Sequence, residues 1–153
     1  MPYIADGTTV GEPQVKGRLG RVKRPSKHQE LVGLSGIPAT FGQWIAFGWL
    51  EPGSEYTAGL FPETFVQALE VAAMDPVFVT RGFHMCQYCS ASSGSFGPIS
   101  YRTFHGGQLQ LGSACLKVTD RQQRVWLAPT LVLHYISEHN YRPPTDLLES
   151  FPV

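Results

Sequence analysis

Two stretches decide how this 153-residue chain folds: Phe83-His84-Met85-Cys86-Gln87-Tyr88-Cys89 and His134-Tyr135-Ile136-Ser137-Glu138-His139. The first contains a Cys-x2-Cys pair, and the second contains a His-x4-His pair. Thiolates and imidazoles at such spacings are the ligands of tetrahedral zinc sites. The pattern therefore predicts one Zn2+ held by Cys86, Cys89, His134 and His139.

The distance between the two pairs indicates what kind of zinc site this is. Cys89 and His134 are separated by 44 residues, far more than in a compact DNA-reading finger. We therefore expect a zinc clasp that joins a cysteine loop to the C-terminal helix. On an ideal helix, residues five apart differ by about 140° in direction. The helix should consequently unwind near Asn140, a residue type that tolerates the left-handed conformation found at helix ends.

Other interpretations of these residues stay open at the level of sequence. The thiols and histidines could be separate buried or solvated groups, or the cysteines could form a redox pair. His84 and Cys115 are substitute ligands if one of the two histidines points away from the site.

A catalytic zinc is the enzymatic alternative, and it requires an open coordination position and a general base. Glu138 is the candidate base of such a hydrolase. The run from His134 to His139 is one residue longer than the His-x2-Glu-His of inverted zinc proteases. The zinc-deaminase order, with His-x-Glu before Cys-x2-Cys, is reversed here.

Apolar periodicity and turn residues predict an α+β fold, with a small antiparallel sheet packed against two main helices. The predicted helices cover residues 62–74 and 129–139, and a last helical turn covers 146–151. The predicted strands, arranged as an antiparallel meander after the first, are residues 44–50, 99–104, 108–118 and 124–128. Aromatic residues in the first strand, Trp44, Phe47 and Trp49, are expected in the core.

Charge divides the sequence into an N-terminal arm, residues 1–35, and a zinc-binding domain, residues 36–153. Six of the twelve basic residues lie in the arm: Lys16, Arg18, Arg21, Lys23, Arg24 and Lys27. From Glu30 onward there are six basic and ten acidic residues. A flexible basic arm is expected, and nucleic-acid binding through its cations is a further alternative function.

Composition favours a reducing compartment and gives no indication of a membrane segment. The cysteine count of three is odd, and no basic head followed by an apolar run is present at the N-terminus. We therefore expect a cytoplasmic protein without a disulfide scaffold. No stretch approaches the ~18 apolar residues of a membrane span.

A set of motifs resembles a family of short, uncharacterised bacterial proteins. They are Gly48-Trp49-Leu50-Glu51-Pro52-Gly53, Arg81-Gly82-Phe83-His84-x-Cys86-x2-Cys89, Ala128-Pro129-x-Leu131 and His134-Tyr135-x3-His139-x-Tyr141-x-Pro143-Pro144. The resemblance covers residues 44 to 150. It implies a stand-alone bacterial domain that binds zinc, with no activity attached.

Together these features favour a non-enzymatic protein with a structural zinc. The expected role is a protein-interaction or regulatory module whose partner is another protein.

Overall fold

A computed structural model describes residues 3–10, 44–89 and 98–151 of the chain. The strands are β1 (Thr9–Val10), β2 (Trp44–Ala46), β3 (Ile99–Arg102), β4 (Gln108–Leu111), β5 (Cys115–Thr119) and β6 (Val125–Pro129). The helices are α1 (Glu63–Met74), α2 (Val132–His139) and α3 (Thr145–Ser150), and residues 87–89 form a separate helical turn. The predicted α+β class is confirmed.

The strands form two sheets rather than one continuous meander. The main sheet has the order β1-β2-β6-β5, and β3 pairs only with β4 in a separate antiparallel hairpin. Within the main sheet, β2 and β6 run parallel, so the sheet is mixed. The sequence missed this pairing because it joins residues that are about 80 positions apart, far beyond the reach of a local pattern.

β6 is an inner strand of the main sheet, between β2 and β5, and it is deeply buried. Trp126, Leu127 and Ala128 in this strand are all at most 2% exposed. A run that is buried on both faces is typical of a strand covered by other elements. Trp44 and Trp49 are also buried, which agrees with their predicted place in the core.

α1 covers one side of this core through residues spaced four apart. Phe65, Leu69 and Ala73 are buried, and Glu63 lies in the first turn, where the helix dipole favours an acid. The buried Glu70 carboxylate accepts hydrogen bonds from the hydroxyl of Tyr101 at 2.7 Å and from the backbone N–H of Phe104 at 3.0 Å. These bonds fasten the β3–β4 hairpin to α1.

The Asp120 carboxylate fastens α3 to the turn between β5 and β6. It accepts hydrogen bonds from the Arg124 side chain at 2.7 Å and from the Trp126 indole at 2.9 Å. Arg124 also makes two bonds to Asp146 in the first turn of α3. Burial alone would raise the pKa of Asp120, but the hydrogen bonds from Trp126, Arg124 and Gln122 outweigh it and lower that pKa.

A close backbone contact at Gly112 determines the position of residues 80–84, which lead into Cys86 and Cys89. The backbone N–H of His84 donates to the Gly112 carbonyl at 2.8 Å, and Thr80 N–H donates to the Ser113 carbonyl at 2.7 Å. Gly112 has φ +106°, and a Cβ at this position would overlap the His84 carbonyl oxygen. Glycine is therefore required, and its conformation ends β4. The predicted strand 108–118 is consequently wrong at this point, because it is two strands.

Residues 3–10 lie against the main sheet, and Thr9–Val10 form its edge strand β1. Ile4 is 2% exposed, and the Asp6 carboxylate accepts hydrogen bonds from the Gly48 backbone at 3.0 Å and from the Tyr141 hydroxyl at 2.8 Å. The rest of the predicted arm, including its six basic residues, lies outside the described residues, so the division at residue 35 stays a prediction. Among the described helices, none has the length and apolar content needed to cross a membrane.

Replacing Gly112 with alanine tests the close approach of His84, and Gly106→Ala is the matched control. Both glycines have positive φ, but a Cβ at Gly106 would meet nothing within 4 Å. We expect Gly106→Ala to cost about 1–2 kcal/mol of unfolding free energy, because the left-handed conformation strains alanine. Gly112→Ala should cost about 1–3 kcal/mol more, because it adds a backbone overlap. Denaturant unfolding of both variants measures the difference, and equal costs would contradict the contact.

Asp120→Asn tests the carboxylate network. An amide cannot accept all the bonds that the carboxylate accepts, so we expect a loss of about 1–3 kcal/mol near neutral pH. The folded-state pKa of Asp120 is lowered, so its contribution is complete above the unfolded pKa of about 3.9. That contribution is lost as the pH falls through the folded pKa.

Stability measured as a function of pH checks this prediction. The gap between the wild type and Asp120→Asn should stay constant near neutral pH and narrow below about pH 4. Asp146→Asn is the control: the Asp146 side chain is 62% exposed, so solvent screens its ion pair and its loss should cost clearly less stability than Asp120→Asn. A gap that is unchanged at acidic pH would argue against the ionised carboxylate as the source of stability.

Candidate metal centre

The structure brings together the two pairs of residues that the sequence singled out. One ligand atom from each of Cys86, Cys89, His134 and His139 lies within 4.8 Å of all the others. The Cys86 sulfur is 3.3 Å from Nε2 of His139, and the Cys89 sulfur is 3.3 Å from Nε2 of His134 and 3.4 Å from Nε2 of His139. All four donors therefore face one common point.

The two cysteines of the cluster lie in a tight turn whose backbone N–H groups are directed at the Cys86 sulfur. Cys86 directly precedes the helical turn at residues 87–89, and the backbone N–H groups of Cys89 and Tyr88 donate hydrogen bonds to the Cys86 sulfur. Burial raises the pKa of the Cys86 thiol, and these two bonds offset part of that rise. Donors that stabilise a thiolate prepare this sulfur for a cation.

The histidine half depends on how α2 ends. The N–H of Asn140 and that of Tyr141 both donate to the Tyr135 carbonyl, and Asn140 is left-handed with φ +55°. A turn closed by a bond to the fifth preceding residue is wider than an α-turn. The widening lets His134 and His139 approach each other, with ring centroids 5.1 Å apart. The expected end of the helix at Asn140 is confirmed.

The electrostatic surroundings of His134 favour its neutral form. Burial lowers the pKa of His134, and the neighbouring His139 lowers it further, while Glu138 acts in the opposite direction. A ligand histidine must be neutral to offer its lone pair to a metal. His134 is therefore in the form that a metal site requires at neutral pH.

The separations between the donors fit a tetrahedral zinc ion. Zinc lies about 2.3 Å from sulfur and about 2.0–2.1 Å from nitrogen, so tetrahedral angles place the two donors about 3.5 Å apart. The three close sulfur–nitrogen distances are 3.3, 3.3 and 3.4 Å. Only small shifts of the side chains would therefore be needed around such an ion.

Aromatic side chains pack beside the donors. The Tyr88 ring is 5.1 Å from the His139 ring and 6.1 Å from the Tyr135 ring, measured between centroids. Tyr56 donates a hydrogen bond to the His139 carbonyl at 2.8 Å. No sequence pattern singles out Tyr56, because it lies 30 residues before Cys86 and belongs to no ligand-like spacing.

The substitute ligands are not part of the cluster. Neither His84 nor Cys115 belongs to the group of donors found among the described residues. Cys115 packs with Trp44 and Trp49 in a second part of the core, where burial raises its pKa to about 12. Glu138 is exposed and is also absent from the group, so the structure does not bring the candidate base together with the four donors.

Comparisons with known proteins place the chain in a family without assigning it a function. Searches among curated proteins and among solved structures found no match. These searches therefore provide no bacterial relative for the resemblance seen in the sequence, and the bacterial origin stays a prediction. A family model described as a domain of unknown function, DUF7919, matches residues 23–152. Since this match covers most of the sequence, the chain belongs to the DUF7919 family.

Proposed function

We propose that this protein binds one structural Zn2+ through Cys86, Cys89, His134 and His139, and that it acts as a zinc-stabilised interaction or regulatory module. The convergence of four donor atoms within 4.8 Å carries the proposal. These donors come from two segments that are separated by 44 residues in the sequence, so their meeting is a property of the fold.

The donor set favours zinc over other ions. Two thiolates and two imidazoles in a tetrahedral arrangement suit Zn2+, whereas Mg2+ and Ca2+ prefer oxygen ligands. The thiolate ligands also fit the predicted cytoplasmic location, because that compartment keeps thiols reduced.

The number of donors favours a structural ion over a catalytic one. Four protein ligands complete a tetrahedral shell, whereas a catalytic zinc keeps one position for water. A bound ion would join the cysteine turn to α2, across the β3–β4 hairpin that lies between them in sequence. Because such sites do not exist in the unfolded chain, the binding free energy contributes to folding. The hydrolase alternative with Glu138 as base stays untested, and no observation favours it.

Metal analysis of the purified protein tests the proposal. We expect one equivalent of zinc per chain in the wild type, and a large loss of bound zinc in Cys86→Ser and in His134→Ala. Cys115→Ser is the matched control, because Cys115 is a buried cysteine outside the donor group. It should retain one equivalent even if it lowers stability.

Chelation provides the corresponding stability measurement. A strong chelator should lower the melting temperature of the wild type and of Cys115→Ser, because zinc binds only the folded state. It should have little effect on Cys86→Ser. Freshly purified wild-type protein without zinc would refute the proposal.

X-ray absorption at the zinc edge distinguishes a structural from a catalytic ion. We expect two sulfur neighbours at about 2.3 Å and two nitrogen neighbours at about 2.0–2.1 Å. A shell with three protein ligands and one oxygen would instead support the hydrolase alternative with Glu138.

The partner of the module stays a prediction. The sequence favours another protein, and the basic residues that would contact a nucleic acid lie outside the described residues.

A further inference from the structure

We propose that Tyr56 is a positioning residue of the metal centre. It holds the cysteine pair and the histidine pair in place before the ion binds. The inference rests on the proposed zinc binding. Tyr56 comes from a third segment of the chain, which contributes no ligand of its own, yet it contacts both halves of the donor set.

The hydroxyl of Tyr56 fixes the histidine half. It donates a hydrogen bond of 2.8 Å to the backbone carbonyl of His139, the last residue of α2. The final carbonyls of a helix have no partner within the helix, so they need a donor from elsewhere. Because the next residue, Asn140, is left-handed, the regular helix does not determine the backbone at this point. The Tyr56 bond supplies the missing restraint.

The ring of Tyr56 contacts the cysteine half. It packs edge-on against Tyr88, with centroids 6.0 Å apart, and Tyr88 lies between Cys86 and Cys89 in the sequence. The Tyr88 ring in turn lies 5.1 Å from the His139 ring. The contacts therefore run from Tyr56 to Tyr88 and from Tyr88 to His139. They connect the cysteine pair to the histidine pair without the ion.

Tyr56 itself is held by backbone pairing next to it. The backbone N–H of Arg142 donates to the Thr57 carbonyl at 2.8 Å, and that of Gly59 donates to the Asn140 carbonyl at 3.3 Å. An antiparallel bridge joins Ala58 to Tyr141. These contacts bind residues 57–59 to the chain that leaves α2, so backbone pairing within the protein places Tyr56 beside the end of that helix.

This arrangement predicts an effect on how tightly the ion is held. Groups that orient the ligands of a metal typically change its affinity about 10–100-fold when they are removed. A preorganised site also loses less conformational freedom on binding. Loss of the Tyr56 hydroxyl should therefore let the His139 end open and release zinc faster.

Zinc transfer from the loaded full-length protein to an excess of a chromogenic chelator tests the inference. The measurement is made well below the melting temperatures of all variants, so that release reports opening of the site and not unfolding. We expect release from Tyr56→Phe to be about ten-fold faster than from the wild type. Cobalt-substituted Tyr56→Phe should also show an altered visible spectrum, since the His139 ligand is less well oriented.

Tyr101→Phe is the matched control. It removes a hydroxyl that also makes a hydrogen bond, at 2.7 Å to Glu70, but this carboxylate is not one of the donors. Its release rate should stay within about two-fold of the wild type, well below the effect of an orienting group. A purely structural role for Tyr56 would instead change both variants alike, in proportion to their loss of melting temperature.

The outcomes separate the two proposals. A wild-type protein that takes up no zinc would overturn the proposed function, and this inference with it. Bound zinc that leaves Tyr56→Phe and Tyr101→Phe at equal rates would overturn the role of Tyr56 alone. Faster release from Tyr56→Phe only, with a changed cobalt spectrum, supports the inference.

Discussion

The backbone contact between His84 and Gly112 is the constraint on which the arrangement of the site depends. Residues 77–84 pair with residues 112–115 through four backbone hydrogen bonds, which are 2.7 to 2.8 Å long. The pairing ends two residues before Cys86, so it determines where the cysteine turn begins. It requires a residue without a side chain at position 112. The same glycine ends β4, and it thereby separates the β3–β4 hairpin from the main sheet.

The end of α2 imposes a second constraint, because five-residue spacing places two histidines on different faces of a regular α-helix. The wide turn closed on the Tyr135 carbonyl removes this difficulty. As at the end of any helix, the His139 carbonyl has no partner within the helix, and the Tyr56 hydroxyl supplies one. The irregular helix end thus accommodates the five-residue spacing, and the Tyr56 hydroxyl is bonded to that same end.

Local patterns in the sequence predicted the parts of the molecule that local physics determines. α1 was predictable because Phe65, Leu69 and Ala73 recur at helical spacing, and the four donors were predictable because their spacing within each pair is restricted. The parallel pairing of β2 with β6 was not, since strand order depends on the whole core. In the sequence, Gly112 cannot be distinguished from an ordinary turn glycine. Its contact with His84 is visible only in the three-dimensional structure.

The geometry of the four donors is suited to one shared metal ion. The Cys89 sulfur faces Nε2 of both histidines, at 3.3 and 3.4 Å, and Nε2 of His139 also faces the Cys86 sulfur at 3.3 Å. A thiol carries one proton, so Cys89 cannot donate to both imidazoles at once. The remaining contacts are hydrogen bonds only if a histidine donates from Nε2 to a sulfur, so they depend on the tautomers of the two rings. One divalent cation would accept a lone pair from every donor at once and would offset the burial of the thiolates.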